Sequence, residues 1–114
     1  MSTKELLQLG KKVIEDSDNW IKGHYAQDKS GKISDPSSED ATCFCSLGAL
    51  YKAAGDQIES MEVYQAERIL NNLTPRFNVV NFNDDPNVSH DQVMELWDKA
   101  IKRAEEKESQ NAPV

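Results

Sequence analysis

Residues Ser89–Ala104 read SHDQVMELWDKAIKRA. Val93, Leu96, Trp97, Ala100, Ile101 and Ala104 fall at i, i+3, i+4, i+7, i+8 and i+11, the spacing of one helix face. Ser89 with Gln92 three residues on is the reciprocal start signal, in which each side chain satisfies the other's backbone N–H. A helix with so broad an apolar stripe needs a layer to bury it, and Trp97 inside the stripe reads as a core anchor rather than a stacking platform. Beyond Glu105 the chain turns polar, and residues 107–114 are expected to form a frayed tail on a single domain spanning residues 1–106.

Working back towards the start, three more segments have helical character. The first spans Thr3–Trp20, opened by Ser2 and Glu5 and carrying Leu6, Leu9, Val13 and Ile14. Gly10 weakens its middle or marks a close contact with another helix. The second spans Glu39–Ala54, with Ser37 or Ser38 as cap and Gly55 as terminator. Between Ala41 and Tyr51 it is nearly free of charge, which marks the central, buried helix, and Gly48 and Ala49 permit close approach by another helix. The third spans Gln57–Leu73, with Ile58, Met61, Tyr64, Ile69 and Leu73 offered as its core face and Thr74-Pro75 ending it.

Two connections are long. Gly23–Ser38 is rich in turn formers, including Asp28-Lys29-Ser30-Gly31 and Asp35-Pro36-Ser37, with Lys32–Ser34 as a candidate short strand. Arg76–Asn87 reads as a second loop, with Val79-Val80 extended and Phe77, Val79, Val80 and Phe82 docking on the core. The expected fold is therefore all-α, a compact bundle of four main helices with two long ordered loops and room for one very short strand pair. The loops are expected to meet at one end of the bundle, and a functional site is expected at that meeting point.

Composition narrows the functional classes. The 114 residues include 13 basic and 20 acidic side chains, a net charge of −7. That balance disfavours direct nucleic-acid binding, which rests on Lys and Arg against phosphate, and leaves a basic partner open. No run of 18 apolar residues suits a membrane span, and Met1–Leu9 lacks a signal-peptide core. A cytoplasmic location with reduced thiols follows as the expectation, and the sequons at Asn72 and Asn87 are then chance matches. On one helix Cys43 and Cys45 would point about 200° apart, so neither a shared metal nor a disulfide is expected. The run Asn83-Asp84-Asp85-Pro86 lacks the alternating ligands, Gly and Glu of a calcium loop. No metal or other cofactor is expected.

Three segments in order resemble an uncharacterised family of small bacterial and bacteriophage proteins, domain of unknown function 6197. They are Trp20–Gly23 followed by Ala26, Asp28, Gly31 and Asp35-Pro36; then Phe44–Leu50; then Phe82-Asn83-Asp84 leading to Ser89, Val93 and Leu96. The resemblance runs from about Leu6 to Ala104; Phe44 and Phe82 stand where that family commonly has Trp, and Cys43 has no counterpart. It implies a helical fold and a microbial or viral origin, with the host cytoplasm as the location if the gene is carried by a phage. It brings no biochemistry, but it points to Cys45, Gly48, Asn83 and Asp84.

The chemistry-bearing residues admit three readings. In the leading one the chain is a non-enzymatic acidic binding protein that engages a host protein or a small ligand, with a counter-defence or host-takeover inhibitor as one such role. Trp20, His24, Tyr25 and Asp28 are its candidate pocket wall, joined by Asn83 and Asp84, whose alternative role is to bind the Cys helix N-terminus or pin the long loop. In the second, Cys45 is the nucleophile of a hydrolase or transferase, with His24 or His90 as base and Asp84 or Asn83 orienting it. A position two turns inside an apolar helix argues against that, since burial raises a thiol's pKa. In the third, the chain is a structural or regulatory subunit of a larger assembly.

Overall fold

A computed structural model describes residues 1–110. Five helices pack around one core: α1 (Thr3–Ile14), α2 (Ser46–Ala54), α3 (Met61–Asn72), the short α4 (Val79–Asp84) and α5 (His90–Gln110). Two strands, β1 (Ala26–Gln27) and β2 (Cys43–Phe44), pair antiparallel with Ala26 opposite Phe44. The architecture is thus the expected helical bundle of four main helices with, among the described residues, one very short strand pair. α1 lies against α2, α5 and α3, and α2 also meets α3 and α4. Among the described residues no helix is long and apolar enough to cross a membrane.

The long helix behaves as its periodicity predicts. Val93, Leu96, Trp97, Ala100 and Ala104 are buried, and Trp97 has no exposed surface. Its start is the full reciprocal cap: Gln92 N–H donates to Ser89 Oγ at 3.2 Å and Ser89 N–H to Gln92 Oε1 at 2.8 Å. It runs through Gln110, and residues 111–114 of the expected tail lie outside the described residues. Gly10 does mark a close helix contact, because a Cβ there would come within 2.7 Å of the Trp97 ring.

The other boundaries moved, each for a local reason. α1 stops at Ile14 rather than Trp20: Asp16 caps its own turn by accepting from Asp18 N–H at 2.9 Å, the competition that keeps Asp and Asn out of helix interiors. The Cys helix begins at Ser46, seven residues later than Glu39. Thr42, Cys43 and Phe44 are instead extended, with Thr42 N–H donating to Gln27 C=O and Cys45 N–H to Tyr25 C=O. Residues of modest helix propensity here gain a strand partner from the long connection. Cys45 is therefore the N-cap of α2, not a residue two turns inside it, and Ser37 and Ser38 cap nothing in α2. Gly55 ends α2 at φ +59°, as expected.

α3 starts at Met61 behind Ser60, whose hydroxyl accepts from Val63 N–H. Its core face is Val63, Ala66, Ile69 and Leu70, while Ile58, Met61 and Tyr64 are exposed. Ile58 precedes the helix, so its spacing to Tyr64 has no helical meaning. The expected loop Arg76–Asn87 contains α4, capped by Asn78, whose side chain accepts from Asn81 N–H at 3.0 Å. Val79 and Val80 are helical, not extended. Arg76 and Phe77 both take left-handed backbone (φ +60° and +54°), and Phe77 points into solvent at 70% exposure instead of docking. Lys32–Ser34 contributes a lone bridge, Ile33 to Gln27, rather than a strand.

Candidate functional site

The segment before β1, the loop after it and α4 enclose an open cleft of about 620 Å³. Gly23, His24 and Tyr25 form its entrance, Ile33–Pro36 one wall, Val80 and Asp84 the other, and Cys45 lies at its base. This is where the two long connections approach each other. A hollow of similar size, about 590 Å³, lies beside α1, lined mostly by the polar side chains Glu5, Gln8, Lys11, Lys12 and Glu15. The cleft walls are held by hydrogen bonds, several of them from backbone N–H groups. Ser34 N–H donates to Ala26 C=O, Gly23 N–H donates to Asp84 Oδ1 at 2.9 Å, and Asp35 accepts from Ser37 N–H and Oγ. Gly48 lets the Tyr25 backbone pack directly on α2: a Cβ on it would lie 1.8 Å from the Tyr25 carbonyl oxygen. The close approach that Gly48 permits is thus to the entrance segment, not to another helix.

Behind the cleft, the polar side chain of Asn83 is fully buried, as is that of its partner Ser46. Asn83 is the hub. Its Oδ1 accepts from Trp20 Nε1–H at 2.7 Å, Ser46 N–H at 3.0 Å and Ser46 Oγ at 2.9 Å. Its Nδ2 donates to Ile21 C=O and Asp84 Oδ1, both at 3.0 Å. Trp97 Nε1–H continues the chain by donating to Ser46 Oγ at 3.4 Å. Asn83 thus satisfies the first N–H of α2 and ties the entrance segment, α2 and α4 together, while Asp84 pins Gly23. Both residues hold the loop and the helix start in place, the structural alternative raised for them from sequence.

Of the remaining candidates, His24 and Tyr25 line the cleft together with Cys45 and Asp84, whereas Trp20, Asp28 and His90 do not. His24 and Tyr25 are exposed at the entrance. Trp20 is half-buried beneath it, engaged with Asn83 and with Lys22 against its ring. His90 is elsewhere: its Nε2 donates to the Ile14 carbonyl at the end of α1, at 2.7 Å, and its ring lies 5.6 Å from that of Trp20. Asp28 also stays away from the cleft. Its Oδ1 closes its own turn on Ser30 N–H, Ser30 Oγ and Lys32 N–H, and the Ser30 hydroxyl bond leads those that hold its carboxyl below the usual range. Ile33, Ser34, Asp35, Pro36 and Val80 line the cleft without having been candidates; Asp35-Pro36 was legible only as a turn.

Cys45 combines opposing influences. As N-cap its sulfur accepts from Gly48 N–H at 3.4 Å, which favours the thiolate. Burial outweighs this, and the Asp84 charge adds to it, so the thiol's pKa is raised. At neutral pH the sulfur is a protonated, 3% exposed group on the cleft floor. Cys43 is also a free thiol, its sulfur donating to Asp18 C=O at 3.4 Å. The helical argument for their separation fails, since both precede α2, yet each sulfur has its own partner. Among the described residues no three His, Cys, Asp or Glu side chains gather to hold a metal.

The chain belongs to the family of unknown function DUF6197, whose model matches residues 1–103. No curated protein and no solved structure matches the chain.

Proposed function

We propose that this DUF6197 member is a non-enzymatic binding protein that receives its partner in the cleft between the Gly23–Pro36 segment and α4. The observation that carries the reading is the cleft itself, a concavity with hydrogen-bonded walls and of a size suited to a ligand or a partner side chain. Exposed Tyr25 and Ile33 stand at its mouth, and its floor thiol has a raised pKa. A nucleophile wants the reverse, a lowered pKa and a base in hydrogen-bond reach. The sulfur accepts from Gly48 N–H, and His90, one of the two candidate bases, serves α1 instead. In a phage-encoded setting, inhibition of a host protein is the role this class of molecule would fill.

The test compares retention from native-host lysate on immobilised wild-type protein and on a Tyr25→Ala/Ile33→Asp variant. A macromolecule or metabolite held by the first and lost by the second is the expected result. Equal retention by both, or none by either, overturns the reading. Alkylation of Cys45, followed by mass spectrometry with Cys43 as comparison, tests the enzyme alternative. Cys45 is expected to stay protected until unfolding; rapid labelling in the native state would revive a thiol mechanism.

A further inference from the structure

We infer that the cleft's occupant is a basic segment of a protein partner, one Lys or Arg side chain entering between Asp35 and Asp84. The inference rests on the binding-protein reading above and names the chemistry of its partner. Two carboxylates line the cleft, Asp35 from the loop and Asp84 from α4. In each, Oδ1 is engaged locally: Asp35 with Ser37 N–H and Oγ, Asp84 with Gly23 N–H and Asn83 Nδ2. Each keeps its second oxygen for another donor. The ion pairs among the described residues use Glu105, Asp98 and Glu95, so neither cleft carboxylate has a Lys or Arg of its own. Among the described residues no Lys or Arg lines the cleft.

The walls between these carboxylates are apolar, with Val80 on one side and Pro36 and Ile33 on the other. A cationic head on an aliphatic stem satisfies both features at once, the stem lying along apolar surface and the head reaching the acceptors. The mouth extends the match beyond one side chain. Ile33 is 71% exposed and Tyr25 51%, so apolar residues flanking the basic one would find contact there. That continuation favours a polypeptide over a free amine. The net charge of −7 attracts such a segment from a distance and repels a second copy of this chain.

The test titrates the full chain by calorimetry with a capped Ala-Leu-Arg-Leu-Lys-Ala peptide and maps the binding by amide chemical shifts. The same peptide with Glu in place of Arg and Lys, and free spermidine, are the comparisons. Shifts confined to Gly23–Pro36 and Val80–Asp84, with binding that weakens as salt rises, are expected from the basic peptide alone. The Asp35→Asn/Asp84→Asn variant retains the Oδ1 acceptors that hold the walls and should bind at least about tenfold more weakly. Equal binding by the Glu peptide overturns the charge assignment while leaving the cleft a binding site. Equal binding by spermidine overturns the polypeptide assignment. A dimer of the unliganded protein broken by the same double substitution would give the cleft to a second copy and also overturn the inference. Absence of cleft shifts with every probe overturns it; the lysate comparison then decides whether the binding-protein reading stands.

Discussion

At the scale of single residues, Asn83 and Gly48 carry more of the architecture than their size suggests. Truncating Asn83 to Ala would leave Ser46 N–H without its partner in the interior and the half-buried Trp20 Nε1–H and Ile21 C=O without theirs. A buried orphan costs about 1–3 kcal/mol and a half-buried one less, so Asn83→Ala is expected to lose about 2–3 kcal/mol in a urea denaturation series, a large part of a small domain's stability. Gly48→Ala pushes a methyl group into the Tyr25 carbonyl. Ala normally gains about 1 kcal/mol over Gly inside a helix. Here the forced backbone shift reverses the sign, and a net loss of about 1–3 kcal/mol in the same assay is expected. Cys45 sets a pH dependence. Its folded pKa is raised, chiefly by burial, so the unfolded chain loses this proton first as the solution becomes alkaline. The folded state then binds more protons, and stability must fall as pH rises from about 8.5 upward through the folded value. Tyr51, raised by burial and by its hydrogen bond to Glu67, acts in the same direction at still higher pH. Urea midpoints at about pH 7 and about pH 10 should separate in wild type and converge partly in Cys45→Ala.

At the scale of elements, legibility followed the strength of the local signal. α5 was readable because a six-position stripe and a reciprocal cap agree. Ser89→Ala should cost about 1 kcal/mol, the usual worth of such a cap, seen as a lower thermal midpoint with α5 content otherwise intact. α2 was recognised as buried but started too early, because periodicity does not reveal that Thr42–Phe44 would find a strand partner in the distant Ala26–Gln27. That pairing closes over residues 28–42, and no local pattern announces it. The same error placed Cys45 inside a helix when it caps one. α4 was missed because its six residues are too few for a periodic signal, although Asn78 is a good cap residue. The cleft was legible as a place, the meeting of two connections, and in His24, Tyr25, Asp84 and Cys45. Its wall Ile33–Pro36 was not, since an exposed Ile in a polar loop gives no sign of what it faces.

Across the whole molecule, stability is distributed unevenly. α1, α2, α3 and α5 supply most of the buried apolar side chains, whereas between Gly23 and Ser38 only Ala26 is buried. The loop is fixed by short-range turns at Asp28 and Asp35 rather than by apolar contact. Amide exchange should therefore be orders of magnitude faster over residues 29–40 than over α2, as measured by mass spectrometry of deuterated protein. Uniform exchange would mean that the cleft wall is as firmly held as its floor. The hydrogen-bonded line from Trp20 through Asn83 and Ser46 to Trp97 carries one more consequence. The molecule's two indoles report on the two ends of that line, one half-buried under the cleft entrance and one sealed in the core. Movement of α4 on ligand entry would disturb the Trp20 contact and leave Trp97 dark to the event. Intrinsic fluorescence, with Trp97→Phe to isolate the first indole, thus offers a label-free signal for occupancy of the cleft.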